Sequence, residues 1–315
     1  MKKAAIAVLF LAGAVVAAGE NGKMGGFGNF ISDVQAEDEL SESDKEQKEI
    51  IEETDTTEED RVAAIDTSIT LGAGSRIAVV SKATDGEYWK LVHQGMEDAV
   101  KDINKAYEFS SDDEISMTFE GPSDEQDIET QVNTLDAVIA ENPDVLCVSA
   151  SDMDSLQAQL EAAKENGIPV VAFDSGVTDS KMIRAFRGTD NTRVGEIAAY
   201  RLATAIGKMG KVAVFSAQEK TQSIQERVSG FTNYITNYPD IEVVEIVYQD
   251  QVDDMTAAMQ EVLDKYPQLD GVFCDNADIA DLYLDMKKDE TKDSIVMVGV
   301  DATAKQQEAI RNGKE

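Results

Sequence analysis

From Arg76 onwards, short apolar runs alternate with longer stretches in which apolar residues recur every three or four positions. The short runs, such as Ile77–Val80 and Val170–Phe173, are rich in Val and Ile, as is typical of strands buried on both faces. The longer stretches, such as Trp89–Ala106 and Ile128–Ala140, have the spacing of amphipathic helices. Regular alternation of the two predicts an α/β fold with parallel sheets flanked by helices.

The pattern continues to the end of the chain. Further strands are predicted at Ile115–Phe119, Val145–Ser149, Ile183–Phe186, Val212–Phe215, Val243–Val247, Val272–Cys274 and Val296–Val300. Further helices are predicted at Leu156–Lys164, Val194–Ile206, Ile224–Tyr234, Met255–Leu263, Ile279–Met286 and Lys305–Ile310. These strands are too many for one compact sheet, so we predict two lobes, residues 75–188 and 189–315, that divide near Gly188–Asp190.

Three of the predicted strands end in an acidic residue. Val170–Phe173 is followed by Asp174, Val272–Cys274 by Asp275 and Asn276, and Val296–Val300 by Asp301. In α/β proteins, ligands bind beyond the carboxyl ends of the parallel strands. The strand ends therefore predict a polar ligand site, shared between the two lobes.

The N-terminal part of the chain differs from the rest. Met1-Lys2-Lys3 followed by the apolar run Ala4–Ala18 predicts an export signal that is cleaved, or else an uncleaved membrane anchor. Residues 19–74, dense in Asp, Glu, Ser and Thr, predict a disordered acidic spacer. The protein is thus expected to be exported, to the periplasm or the cell surface.

Composition excludes several classes of function. The net charge of −34 argues against nucleic acid and against anionic lipid as partners. Cys147 and Cys274 each fall inside a predicted strand and are expected to be separate core thiols, although export would permit a disulfide.

The chain also has few of the residues that enzymes use. His93 is its single histidine, and it contains no Gly-x-Ser-x-Gly sequence, no phosphate-binding loop and no Cys/His cluster with zinc spacing. Asp174 and Asp301 could imitate a glycosidase acid/base pair, but acids at strand ends are common in α/β folds. We therefore expect no enzyme, no metal and no cofactor. A sugar-responsive repressor would need a basic N-terminal helix-turn-helix, whereas this chain begins with a predicted export signal and an acidic spacer.

Several stretches of residues 75–315 together carry a family resemblance: Ile77–Ser81 with Tyr88-Trp89, Asn142–Leu146, Asn166–Asp174, Gly188–Asn191, Glu226-Arg227, Gly271–Asn276 and Val298–Asp301. In order and spacing, the chain resembles the type I periplasmic sugar-binding proteins of the ribose, galactose and xylose class. The resemblance implies two Rossmann-like lobes, three crossings and closure around one monosaccharide. It further implies a monomer whose closed form docks on an ABC transporter permease or, alternatively, on the membrane receptor of a sensor.

Family members continue beyond the point that corresponds to Gly313-Lys314-Glu315, to a third crossing and the closing elements of both lobes. The resemblance therefore implies that this chain is truncated at its C-terminus. On that expectation the second lobe is incomplete and the last ligand contact is missing.

The resemblance also implies site residues. Tyr88 and Trp89 would stack on the sugar ring, with packing at the start of a helix as the alternative. Asp174, Asn276 and Asp301 would bond sugar hydroxyls, with helix capping as the alternative. Ser175 and Gln225 stand where family members often carry Arg, which leaves ribose specificity open. The remaining candidate contacts are Ser81, Asp85, Asp250 and Gln251.

Overall fold

Two parallel sheets organise residues 57–287 and 295–312, the parts of the chain that this computed structural model describes. The α/β prediction of two parallel-sheet lobes flanked by helices is confirmed. The predicted leader and most of the predicted spacer, residues 1–56, lie outside the described residues. Within the described ranges, no helix has the length and apolar character needed to cross a membrane.

The first sheet has five strands in the order β2-β1-β3-β4-β5. They are β1 (Arg76–Val80), β2 (Ser116–Glu120), β3 (Val145–Val148), β4 (Val170–Phe173) and β5 (Ala185–Arg187). The helices of this lobe are α1 (Glu58–Ala64), α2 (Glu87–Ala106), α3 (Ile128–Ala140) and α4 (Gln157–Glu165). All pairs are parallel, and Ile77 lies opposite Met117 of β2 and Val145 of β3.

The second sheet has four described strands in the order β7-β6-β8-β9. They are β6 (Gly210–Ser216), β7 (Ile241–Tyr248), β8 (Gly271–Cys274) and β9 (Val296–Gly299). The helices are α5 (Asn191–Ala205), α6 (Gln222–Ile235), α7 (Met255–Lys265), α8 (Ala277–Met286) and α9 (Ala304–Arg311). The chain passes from the first sheet to the second through the segment 188–190.

Each sheet is covered on both faces, which explains why its strands are apolar at consecutive positions. In β1, Ile77 and Val79 enter a core shared with α2, whereas Ala78 and Val80 enter a second core shared with α3 and α4. Cys147 and Cys274 lie in different sheets, both buried, as separate core thiols. Neither therefore belongs to a disulfide.

The prediction of a disordered spacer was wrong for residues 57–74. Thr57 and Asp60 form a capping box that starts α1. Ile65, Ile69 and Leu71 then pack on the first-lobe core. The Arg61 guanidinium lies 2.8 Å from the Asp102 carboxylate on α2, and both side chains are buried. The acidic composition of this segment masks the signal of Ile65, Ile69 and Leu71 in the sequence. These residues are held in place by packing on the first-lobe core and not by local helix or strand propensity.

Candidate functional site

Asp174 stands at the centre of a hydrogen-bonded cluster at the carboxyl ends of β1, β3 and β4. Its Oδ2 atom accepts from Lys82 Nζ at 2.9 Å, from Ser149 Oγ at 3.1 Å and from Ser175 Oγ at 2.9 Å. Its Oδ1 atom accepts from the Tyr88 hydroxyl at 2.8 Å. The first lobe thus presents a carboxylate whose position is fixed by donors from four loops or helix starts.

The charge of this cluster is set by Lys82. Burial alone would raise the pKa of Asp174, but the Lys82 ammonium and the Tyr88 hydroxyl lower the pKa to about 2. Burial likewise opposes the charge on Lys82, yet Asp174 and Glu125 raise the pKa of this ammonium above its usual value. The pair is therefore ionised at neutral pH, and its two charges offset each other.

The two strand-end acids Asp174 and Asp301 share an unusual backbone conformation. Their φ angles are 57° and 76°, in the left-handed region that non-glycine residues seldom adopt. Such a conformation persists only where surrounding contacts enforce it, and it concentrates at functional sites. Asp174 and Asp301 thus combine a strand end with this conformation, which four other non-glycine residues of the described ranges also adopt.

The second lobe contributes Arg227 and Asp301. The buried Arg227 donates from Nε to Asn191 Oδ1 at 2.9 Å and from Nη1 to the Asp275 carbonyl at 2.7 Å. Asp301 Oδ2 accepts from Ala277 N at 2.9 Å. Burial raises the pKa of Asp301; the Arg227 charge opposes this shift and the Asp174 charge adds to it.

Hydrogen bonds join the two lobes beside Asp174. The hydroxyls of Ser175 and Ser223 are 2.8 Å apart, and Gly176 N donates to Gln222 Oε1 at 2.6 Å. Lys220 O accepts from Met153 N at 3.1 Å. Loops after β3 and β4 therefore meet the loop and helix after β6, and Asp174 lies where the lobes touch.

Tyr88 and Trp89 have different surroundings. Tyr88 is 38% exposed, beside Asp174. Trp89 is 3% exposed: its Nε1 donates to Glu125 Oε1 at 2.7 Å and its ring packs edge-on against Phe173. The prediction that Trp89 offers a ring face to a ligand is corrected here, since the indole is a member of the first-lobe core.

Other predicted contacts are engaged elsewhere. Asn276 caps α8, because its Oδ1 accepts from Ile279 N at 3.0 Å. The Ser81 hydroxyl is buried and donates to the Ala83 carbonyl. The structure corrects the prediction for Ser81, whose buried hydroxyl bonds its own loop. Asn276 has the capping role given as its alternative, and its contact with a ligand stays a prediction.

Four exposed candidates do not join the Asp174 cluster. Asp250 Oδ1 accepts from Glu219 N, and Gln251 Nε2 donates to the Glu219 carboxylate at 2.6 Å. Gln225 lines a separate surface depression with Asp152 and Lys220. Asp85 is exposed in the loop before α2. No hydrogen bond within the described residues joins any of the four to Asp174, and a role in ligand binding stays a prediction for each.

The sequence analysis did not single out Lys82 or Arg227 as candidate site residues. Lys82 follows β1 by two residues, so the rule that identified Asp174 would also have found it had the search included cations as well as acids. The hydrogen-bond partners of Arg227 within the described residues are an amide oxygen and a backbone carbonyl.

Asp275 points away from this cluster and is fully buried between β6 and β8. Its carboxylate accepts from the Ser216 hydroxyl and from Ala217 N. Burial raises the pKa of Asp275 from its usual value of 3.8 to about 6, despite these bonds. The native protein therefore holds this proton more tightly than the unfolded chain does.

This buried acid gives a prediction for stability against pH. A pKa raised in the folded state means that the stability gained by protonation is present below pH 3.8 and is lost as pH rises through about 6. Between pH 4 and pH 7 the unfolding free energy of the wild type should therefore fall by an amount on the order of 2–3 kcal/mol through this group. Asp275→Asn, which has no such proton, should not show this fall. Urea unfolding of both proteins across that range measures the difference. If the unfolding free energies of the two proteins change with pH in parallel, the raised pKa of Asp275 is contradicted.

Comparison with known proteins agrees with this geometry. The family model described as periplasmic binding protein domain matches residues 77–315. The chain is 26% identical over 190 residues to the ribose import binding protein RbsB of Bacillus subtilis, an alignment that covers 60% of this chain and 61% of that protein. It is 26% identical over 216 residues to a D-ribose/D-allose-binding protein of Pseudomonas aeruginosa, covering 65% and 63%. The chain thus spans less than two thirds of the length of these curated relatives.

Solved structures show the same fold. An ABC transporter solute-binding protein from Agrobacterium vitis with bound D-fucose aligns with a TM-score of 0.68 at 30% identity, covering 76% of this chain and 81% of that one. A carbohydrate transporter solute-binding protein from Agrobacterium radiobacter, in complex with D-arabinose, aligns with a TM-score of 0.69 at 27% identity, covering 77% and 81%. The resemblance noted in the sequence is confirmed: the chain belongs to the periplasmic binding protein domain family, and its relatives there are type I sugar-binding proteins.

Proposed function

We propose that this chain is an extracytoplasmic solute-binding protein that captures a neutral monosaccharide between residues 75–188 and residues 189–315 and delivers it to an ABC permease. One observation carries the proposal most strongly. A fixed, ionised Asp174 lies where the lobes meet, with Arg227 and Asp301 contributed by the other lobe.

The chemistry of this cluster suits a polyhydroxylated ligand. A sugar hydroxyl donates and accepts at once, so it pairs with a carboxylate on one side and a cation or amide on the other. Lys82 offsets the charge of Asp174, which favours a neutral ligand over an anionic one. The relatives' names and bound ligands (ribose, D-fucose and D-arabinose) belong to this class.

Binding would need no covalent step. A ligand that bonds Asp174 in one lobe gains further contacts to the second lobe only when the lobes approach each other. A ligand shifts the equilibrium between the open and closed forms only by the free energy of these additional contacts. Delivery to a permease, in preference to presentation of the closed form to a receptor, is supported by the transport names of the relatives.

A thermal-shift panel tests the proposal. The panel contains D-ribose, D-fucose, D-arabinose and xylitol, with amino acids and nucleosides as controls, and titration calorimetry follows any hit. A sugar at 100 times its dissociation constant should stabilise the protein by about 2.7 kcal/mol. If no sugar shifts the melting temperature while an amino acid or a nucleoside does, the ligand class is wrong.

A further inference from the structure

A hydrogen bond joins the lobes at a second place, away from Asp174. The Glu87 carboxylate, at the first position of α2, accepts from Ala304 N, at the first position of α9, with a distance of 3.2 Å between Oε2 and N. These residues are 217 positions apart in the sequence and belong to different lobes.

The strand orders show that the two contacts are separate. Glu87 follows β1, which lies two strands from β4, the strand that precedes the Ser175 contact. Ala304 follows β9, which lies two strands from β6, the strand that precedes the Ser223 contact. Two strand spacings correspond to about 10 Å. Among the described residues, hydrogen bonds therefore join the lobes in two separate regions, and the Glu87 contact is the one farther from the crossing segment 188–190.

Neither the N-terminus of α2 nor Ala304 N of α9 donates a hydrogen bond to its own N-cap side chain, so both can be stabilised by the Glu87 carboxylate. In α9, the capping box of Thr303 and Gln306 satisfies the amides of those two residues, and Ala304 N donates to Glu87. In α2, the N-cap is Gly86, which has no side chain to accept a hydrogen bond. Both helix N-termini carry partial positive charge, so one carboxylate between them stabilises both.

From this geometry we propose that Glu87 and the N-terminus of α9 form a latch that stabilises the closed arrangement of the lobes without touching the ligand. Glu87 is then a positioning residue for binding. The inference rests on the proposed solute-binding function. Because the latch contributes only to the closed state, its loss should weaken every ligand by the same factor and shorten the lifetime of each complex.

The test compares Glu87→Gln and Glu87→Asp with wild type in the full chain. Gln removes the charge, while Asp keeps a charge on α2 but is one methylene too short to reach α9. Both variants should raise the dissociation constant for the sugar by about three- to tenfold, and the complex should dissociate faster in stopped-flow measurements. Glu97→Gln, on the same helix with a side chain that is 45% exposed, is the matched control and should leave both values unchanged.

The outcomes separate the latch from the binding function. If Glu87→Gln leaves affinity and dissociation rate at wild-type values, the latch is refuted. It is also refuted if two sugars weaken by different factors, since Glu87 would then contact the ligand. Small-angle scattering of the sugar-free proteins gives a readout that needs no ligand: Glu87→Gln should be more expanded than wild type. If wild type binds no sugar, the proposed function fails, whereas the scattering comparison still decides the latch.

Discussion

Asp174→Asn is expected to lose sugar affinity and stability together. For binding, the ligand would lose a charge-assisted hydrogen bond, and its partner groups would be left unsatisfied, at a cost of at least about 1–3 kcal/mol. For folding, the ammonium of Lys82 would remain buried 2.9 Å from a neutral amide. Breaking a buried ion pair by removing one partner costs roughly 3–5 kcal/mol. Asparagine is the appropriate replacement because it tolerates the left-handed backbone at this position.

A second variant separates these two effects. Adding Lys82→Met to Asp174→Asn removes the ammonium that Asp174 had paired, so part of the lost stability should return in urea unfolding. The recovery is incomplete because Glu125, 3.7 Å from Lys82 Nζ, loses its own partner in the double variant. Sugar affinity measured by calorimetry should remain low, because the carboxylate is still absent. Wild-type affinity in Asp174→Asn would refute the assignment of Asp174 to the site. A double variant as unstable as the single one would show that the Lys82 pair is not the origin of the destabilisation.

The apolar pattern predicted some elements to the residue. The predicted bounds of β4 and α3 coincide with those of the structure. The pattern was less accurate where an element begins with polar residues. Helix α5 starts at Asn191 and not at the predicted Val194, because Asp190 caps it through a hydrogen bond from Arg193 N. Strand β7, at an edge of its sheet, has no fully buried residue and extends at both ends beyond the predicted Val243–Val247.

The site was predictable only in part, for a physical reason. The strand-end rule states which residues reach the carboxyl edge of a sheet, and it found Asp174 and Asp301. It does not state where a side chain turns after the strand has ended. Ser81 and Lys82 are neighbours, yet the Ser81 hydroxyl bonds its own loop while Lys82 bonds Asp174. That choice depends on partners from distant parts of the chain.

Gly230→Ala is expected to destabilise the second lobe strongly. Helices α5 and α6 cross where Gly195 and Gly230 let their backbones meet. A Cβ at Gly230 would lie 2.1 Å from Thr192 O, and a Cβ at Gly195 would lie 2.0 Å from Arg227 O. Backbone atoms of packed helices cannot yield as a flexible side chain can, so the helices must separate. Overpacking of this kind costs about 1–3 kcal/mol or more, against a gain in helix propensity of at most about 1 kcal/mol.

This helix crossing also positions the ligand site, so the effect should extend to binding. Arg227 lies one turn before Gly230 on α6, and its partner Asn191 lies one turn before Gly195 on α5. Ser229→Ala is the matched control: the residue is exposed, adjacent to Gly230 and on the same helix, and its replacement should change unfolding free energy by less than about 0.5 kcal/mol. Urea unfolding and calorimetry of both variants provide the measurement. Gly230→Ala with wild-type stability would show that α5 and α6 can separate freely, and the position of Arg227 would then need a different explanation.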